Sequence, residues 1–135
     1  MEKNNTYFCD IDGTIFKYRK FETYKTSAPE VIPTTLEFLE VVKEQGHMII
    51  LTTARPEDLR EHTIKELDDS KVPYDRLLMG IEREHTIKEL KKSYIPYDRL
   101  IMGIERGPRY LINDMDPNKP GKRAIAMNLI RNEGI

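Results

Sequence analysis

An α/β layered domain with a mainly parallel sheet is the fold this sequence predicts, on three observations. Short apolar runs alternate with helix-like segments, the first runs end in carboxylate- or hydroxyl-bearing residues, and Gly and Pro punctuate the joins. In sheets of this kind ligands bind outside the carboxyl ends of the strands, so the ends of the apolar runs are where chemistry is sought.

Thr6–Ile11 reads as the first strand. Pro33–Gln45 reads as a helix: Pro33 suits its first turn, Leu36, Leu39 and Val42 form an apolar stripe, and Gly46 ends it. His47–Thr52 is a second, strongly apolar strand. Pro56, Glu57 and Asp58 suit the first turn of another helix, which Pro73 breaks ahead of a short strand at Arg76–Met79. Tyr110–Ile112 and Arg123–Leu129 read as two further strands.

The segment from Arg60 to Glu82 is followed at once by a near copy, Arg83 to Glu105, differing at five aligned positions. One helix-strand unit has been doubled in tandem, by recent duplication or by engineering. The second copy is absorbed if Arg76–Gly80 and Arg99–Gly103 are both strands, joined by a crossover through a helix at Glu82–Lys92, adding a strand at an edge away from the catalytic centre. The short link from Gly103 to Tyr110 opposes this, because a parallel strand needs a longer return. A displaced copy, or one exchanged with a second molecule to give a homo-oligomer, is the alternative.

At 135 residues one domain, 1–135, is expected, with a core that needs no disulfide or metal staple. The net charge of −1 lacks the broad positive field that favours nucleic acid or anionic membranes, so a small soluble ligand is the expected partner and no nucleic acid is expected. The amino-terminal stretch lacks the apolar core of a signal peptide, and no run approaches membrane-spanning length, which leads to a cytoplasmic expectation. Cys9, the single cysteine, suits a buried small side chain better than a reactive thiol.

The sharpest chemical signal is CDIDGTI, Cys9 to Ile15. Asp10 and Asp12 sit two apart as the chain leaves a strand, and Gly13 permits a sharp turn that brings them together. One carboxylate can attack phosphorus while the other protonates the leaving oxygen and later activates water. Two anions facing a phosphate need a cation, and oxygen ligands with retained waters favour Mg²⁺.

These residues resemble the first motif, DxDGT, of the haloacid dehalogenase (HAD) superfamily, and the resemblance runs over the chain apart from the extra copy. It implies a three-layer Rossmann-like domain, capless, since no stretch is long enough for a cap. It also implies that Asp10 is the nucleophile and a Mg²⁺ ligand, and that Asp12 is the general acid/base offering its backbone carbonyl to the metal. Gly13 and Thr14 complete the pattern and are placed with the substrate-binding residues.

IILTTAR, Ile49 to Arg55, matches the second motif, with Thr53, or else Thr52, binding phosphate; both hydroxyls also suit capping of the next helix. YLINDMD, Tyr110 to Asp116, matches the fourth, with Asp114 as metal ligand and Asn113 where relatives often carry an acid. The third motif normally supplies a lysine or arginine. MGIERG, Met102 to Gly107, has Ile104 at the lysine position, so Arg106 takes the role, with Lys122 in reserve and Arg83 equivalent after the first copy.

His47, His62 and His85 lack neighbours at metal-ligand spacing and read as surface or helix-packing residues, and the charges of REHTIKELKK read as a solvated helix face. Tyr18, Phe21 and Tyr24, among Lys17, Arg19, Lys20 and Lys25, fall where HAD-like proteins carry a flap beside the active site. The sequence thus points to a Mg²⁺-dependent phosphomonoester hydrolase acting through an aspartyl-phosphate. The rivals are a catalytically weak HAD-fold scaffold with a structural or self-association role, and a phosphate-binding regulator that releases its aspartyl-phosphate slowly.

Overall fold

In the computed structural model the described residues are 4–79, 91–94, 96, 98, 100–101, 103–104, 107–119, 121, 127–128 and 130–133. Four parallel strands, β1 (Thr6–Asp10), β2 (Met48–Thr52), β3 (Arg76–Leu78) and β4 (Arg109–Ile112), form one sheet in the order β3-β2-β1-β4. Two helices, α1 (Pro33–Glu44) and α2 (Arg60–Asp69), make the crossovers from β1 to β2 and from β2 to β3. Both steps move the same way across the sheet, and right-handed crossovers then put both helices on one face. The core bears this out: Leu39 and Val42 of α1 and Leu67 of α2 share one cluster with Cys9, Ile49, Leu51 and Leu77. The strand order reverses between β1 and β4, and there a doubly wound sheet opens a crevice for ligand.

The local reasons for these elements are plain. MIILT is a near-continuous apolar run because β2 is a central parallel strand, with Ile49, Ile50 and Leu51 all buried. Helix α1 starts on Pro33, whose missing N–H costs nothing in a first turn. It ends in a Schellman turn: Gly46 N–H donates to Lys43 O at 3.0 Å and His47 N–H to Val42 O at 3.2 Å, with Gly46 at φ 81°. The expected helix at Pro56 begins instead with a 3₁₀ turn, Glu57–Leu59, and becomes α-helical at Arg60.

Helix α2 ends in the same Schellman turn, with Lys71 N–H on Asp68 O and Val72 N–H on Leu67 O, both at 3.0 Å, although Lys71 must take φ 55°. The second copy repeats the local solution: Tyr94, at the position equivalent to Lys71, also has φ 55°, and its N–H donates to Lys91 O at 3.2 Å. The left-handed residue and its hydrogen bond recur although the copies differ here, with Lys71 replaced by Tyr94 and Asp68 by Lys91.

The first copy fills the strand position, since Arg76–Leu78 pairs with β2. The expected second strand at Arg99–Gly103 is not formed by its described members Leu100, Ile101 and Gly103. Leu100 and Ile101 instead line a cavity of about 370 Å³ with Ile64 and Tyr74, and Gly103 abuts the Arg76 guanidinium. Reach explains the failure. A fifth parallel strand outside β3 would lie about four strand spacings from β4, roughly 19 Å. It would also end at the opposite edge from where β4 starts, a further displacement of about 13 Å for a four-residue strand. The link through 104–108 spans only roughly 20 Å when fully extended, so the diagonal is out of range.

That link is anchored at its far end. Gly107 N–H donates to Asn4 O at 2.9 Å, and a side chain at Gly107 would run into the Asn4 carbonyl. The helix expected at Glu82–Lys92 lies outside the described residues except for Lys91 and Lys92, which are helical. Of the strand expected at Arg123–Leu129, Met127 and Asn128 are described and are in no strand; the rest lies outside the described residues. Among the described residues no helix is long and apolar enough to cross a membrane.

Because the first copy supplies β3 and α2, removing residues 83–105 joins Glu82 to Arg106 with the same local sequence as the original Glu105–Arg106 junction. The shortened chain is expected to fold cooperatively, with a melting temperature within about 5 °C of the full chain, a shift equivalent to roughly 1 kcal/mol. Circular dichroism melts of the two chains check this; a shortened chain without a cooperative transition would show that the second copy is needed for folding.

Candidate functional site

Strand β1 delivers Asp10 to the carboxyl edge of the sheet, in register with Thr52 at the end of β2. The two residues share with Thr53, Ala54 and Asn113 the wall of a cavity of about 390 Å³, whose floor is Phe8, Leu111 and Ile112. Asp10 is half-buried and Thr53 buried. The Thr53 hydroxyl oxygen accepts the Arg55 backbone N–H at 3.1 Å, a local turn that leaves its O–H proton to donate elsewhere. The capping role weighed for Thr53 is not taken up, since neither the 3₁₀ turn nor α2 has a side-chain cap hydrogen bond.

After Asp10 the chain turns sharply. Thr14, Ile15 and Phe16 N–H groups all converge on Ile11 O, and Gly13 N–H donates to Phe16 O at 2.8 Å. Gly13 has φ 87°, and a Cβ there would sit 2.7 Å from the Asp114 carboxylate. Glycine is thus required twice, for its backbone angle and because the end of β4 packs an acid into the space a side chain would take. Asp12, Gly13, Asp114 and Asp116 line a second, open cavity of about 580 Å³, with Lys17 and Lys119 supplying positive charge. Thr14, expected among the substrate-binding residues, is buried and lines neither cavity, because its N–H is spent on closing the turn.

Asp12 is held by a residue to which the sequence reading gave no role. Arg55 grips it in a bidentate pair, Nε to one oxygen at 2.9 Å and Nη2 to the other at 2.8 Å. The same guanidinium donates through Nη1 to Glu66 Oε1 at 2.7 Å and to the Thr63 hydroxyl at 3.1 Å. Glu66 accepts a second arginine as well: Arg19 Nη2 reaches its two oxygens at 3.0 and 2.8 Å. The Tyr24 ring lies under both guanidiniums, 4.3 Å from Arg55 and 5.1 Å from Arg19, and its hydroxyl bonds Asp12.

All members are sheltered, with the Arg55 side chain 1% exposed and Glu66 7%. Burial by itself lowers the Arg55 pKa, but hydrogen bonds and charge from Asp12 and Glu66 outweigh it and hold the group above the ordinary arginine value. Burial, and then the Asp12 carboxylate, push Tyr24 up to about 12. Burial, with Asp10 alongside, likewise pushes the Cys9 thiol up to about 12, so it stays an inert thiol, as a structural role requires.

The face read as solvated, REHTIKELKK, lies outside the described residues except for Lys91 and Lys92; in the first copy the equivalent helix carries Glu66 inward, because Thr63, Glu66 and Leu67 lie on the stripe that α2 buries. A carboxylate on a buried stripe demands a cation, and the packing of α2 supplies two arginines. The flap is built on paired segments, with Lys17 N–H on Glu30 O and Ile32 N–H on Ile15 O, both at 2.8 Å. Its Arg19 and Tyr24 turn into the site while Tyr18 stays exposed. His62 has the helix-packing role expected, its Nε2 2.9 Å from Tyr24 O. Arg106, Lys122 and Arg83, the three candidates for the motif cation, lie outside the described residues.

Among the described residues no group of three or more His, Cys, Asp or Glu side chains is arranged to hold a metal ion. The set implied by the resemblance is different in kind, two carboxylates and a backbone carbonyl. Asp114 occupies the space beside Gly13, which brings the end of β4 against the turn after β1, while Asp10 lines the neighbouring cavity. An all-oxygen donor set of this kind suits Mg²⁺.

Comparison with known proteins accords with this geometry. Residues 7–80, more than half of the chain, match the haloacid dehalogenase-like hydrolases. No curated protein sequence matches. Among solved structures, the chain resembles one from the Pnkp1/Rnl/Hen1 RNA repair complex at 25% identity and TM-score 0.50, over 82% of this chain and 34% of that one. A chain from another structure of the Pnkp1/Rnl/Hen1 complex is 26% identical at TM-score 0.49, over 70% of this chain and 37% of that one, so this protein spans about a third of the length of both. A conserved protein from Bacteroides thetaiotaomicron shares the fold at 20% identity and TM-score 0.51, over 78% of this chain and 74% of that one. With its matched region running from β1 to the end of β3 and enclosing both aspartates of the DxDGT turn, the chain belongs to the haloacid dehalogenase-like hydrolase family.

Proposed function

We propose that this hydrolase cleaves phosphomonoesters with Mg²⁺, through an aspartyl-phosphate on Asp10. The observation that carries the reading is the position of Asp10 at the end of β1, opposite Thr52 and on one cavity wall with Thr53 and Asn113, at the reversal of strand order. In the first half-reaction an Asp10 oxygen attacks phosphorus as the ester P–O bond breaks, and Asp12 gives a proton to the departing oxygen. In the second, Asp12 takes a proton from water, whose oxygen attacks phosphorus and breaks its bond to Asp10, releasing inorganic phosphate. The Thr53 O–H, with Thr52 beside it, donates to a phosphoryl oxygen.

The Asp10 and Asp114 carboxylates and the Asp12 carbonyl would hold Mg²⁺, which when bound supplies the positive charge that two acids and a phosphate require. The motif cation is assigned to Arg106, with Lys17 and Lys119 already lining the Asp12 cavity. Small phosphorylated molecules suit the open site. A second reading of the substrate class, phosphate-ended polynucleotide, draws on the likeness to a chain of an RNA repair complex.

The test is hydrolysis of an aryl phosphate in Mg²⁺, in EDTA, and after Mg²⁺ is restored. Turnover that disappears and returns with the metal supports the reading; a well-folded protein that turns over no phosphomonoester in Mg²⁺ overturns it. Running a phosphorylated sugar beside a phosphate-ended oligoribonucleotide then separates the substrate classes.

A further inference from the structure

The buried ion-pair chain runs from Asp12 through Arg55 to Glu66 and on to Arg19, and it joins three parts of the fold: the turn after β1, helix α2 and the 17–30 flap. Glu66 is its hub. One carboxylate receives both arginines, so the two cations, which would otherwise repel across the Tyr24 ring, are held in one arrangement. Arg55 has no freedom left, since Nε and Nη2 are taken by Asp12 and Nη1 by Glu66 and Thr63. Any movement of Glu66 is therefore transmitted to the carboxylate of Asp12 through a rigid planar group. On the other side, Arg19 also donates to Ser27 O at 2.9 Å, so the bond to Glu66 fastens both arms of the flap to α2.

We propose that Glu66, which lines neither cavity, is a positioning residue of the hydrolase site: through Arg55 it sets the Asp12 carboxylate for proton transfer, and through Arg19 it holds the flap against α2. This rests on the phosphomonoesterase reading, in which Asp12 carries the proton. Neither Glu66 nor Arg19 lines the Asp10 or Asp12 cavity, so neither contacts substrate there, and the effect falls on the rate of chemistry more than on binding.

The test is a kinetic cycle. Glu66→Gln keeps the shape but leaves two buried arginines with one anion, so the charge-balanced pair Arg19→Leu/Glu66→Gln is made alongside it as a variant that keeps the buried charges equal. Each is measured with an aryl phosphate in Mg²⁺, alone and in an Asp12→Asn background, with melts to establish that the protein is folded. The expected result is a kcat lower by about 10- to 100-fold with KM within about threefold, the scale of a misaligned general acid/base, and no further loss when Asp12 is already Asn. A folded, charge-balanced variant that keeps kcat within about twofold of wild type overturns the proposal. So does an equal fractional loss in the Asp12→Asn background, which would mark a merely structural role. A wild type without turnover overturns the hydrolase reading as well, which distinguishes the two failures.

Discussion

Asp10→Asn is expected to lower kcat by at least about 1,000-fold, equivalent to roughly 4 kcal/mol of transition-state stabilisation, while leaving the protein folded. The amide oxygen of asparagine is a poor nucleophile, so the covalent step has no substitute. Asn has the shape of Asp, and Asp10 is half-buried at a strand end, so the packing of β1 against β2 and β4 persists. The melting temperature is expected to stay within about 5 °C of wild type, since the substitution keeps the side-chain volume. Steady-state kinetics with an aryl phosphate, paired with a thermal melt, measure both quantities. A variant that retains more than about a tenth of wild-type kcat would remove Asp10 from the nucleophile's role.

Arg55→Ala is expected to produce the largest loss of stability. It strands Asp12 and Glu66, 13% and 7% exposed, without their shared cation, and breaking a buried pair by deleting one partner typically costs about 3–5 kcal/mol. Loss of the Thr63 hydrogen bond and of the stack on Tyr24 adds to it. Against a total of about 5–15 kcal/mol for a domain this is a large fraction, and the transition should fall by roughly 15 °C. Urea unfolding of wild type and variant checks the magnitude. A loss below about 1 kcal/mol would mean that water or Arg19 replaces Arg55, and that the chain of ion pairs is not a structural element.

These two residues also mark the boundary of what local pattern reveals. Asp10 was legible because strand, acid and turn are neighbours in sequence: an apolar run announces β1, and the acid ends it. The same holds for Thr52 and Thr53 after β2 and for Asp114 after β4. Arg55 lay in plain view at the end of IILTTAR, but its partners come from the first turn and from α2, and nothing in their spacing pairs them. Glu66 was the harder case, since on charge alone it belongs with the exposed residues of its helix. Only the packing of α2 shows that it points inward with Leu67. Arg19 and Tyr24 were placed in the flap, but not against Glu66 and Asp12.

The repeat separates the two kinds of information most cleanly. By itself the sequence determined that two copies exist, that a helix ends ahead of Pro73, and that β1 and β2 finish in Asp10 and Thr52 while Asn113 and Asp114 follow β4, because these depend on short-range propensity, periodicity and turn chemistry. Two copies so alike have nearly equal local preferences, so those preferences could not decide which one enters the sheet. The tertiary structure decided it, seating Arg76–Leu78 beside β2 and leaving Leu100 and Ile101 outside any strand, because the link through 104–108 is too short to return from an extra edge strand to β4. It likewise decided that Glu66 is buried between two arginines, because the balance of desolvation against charge pairing is settled only where distant segments meet.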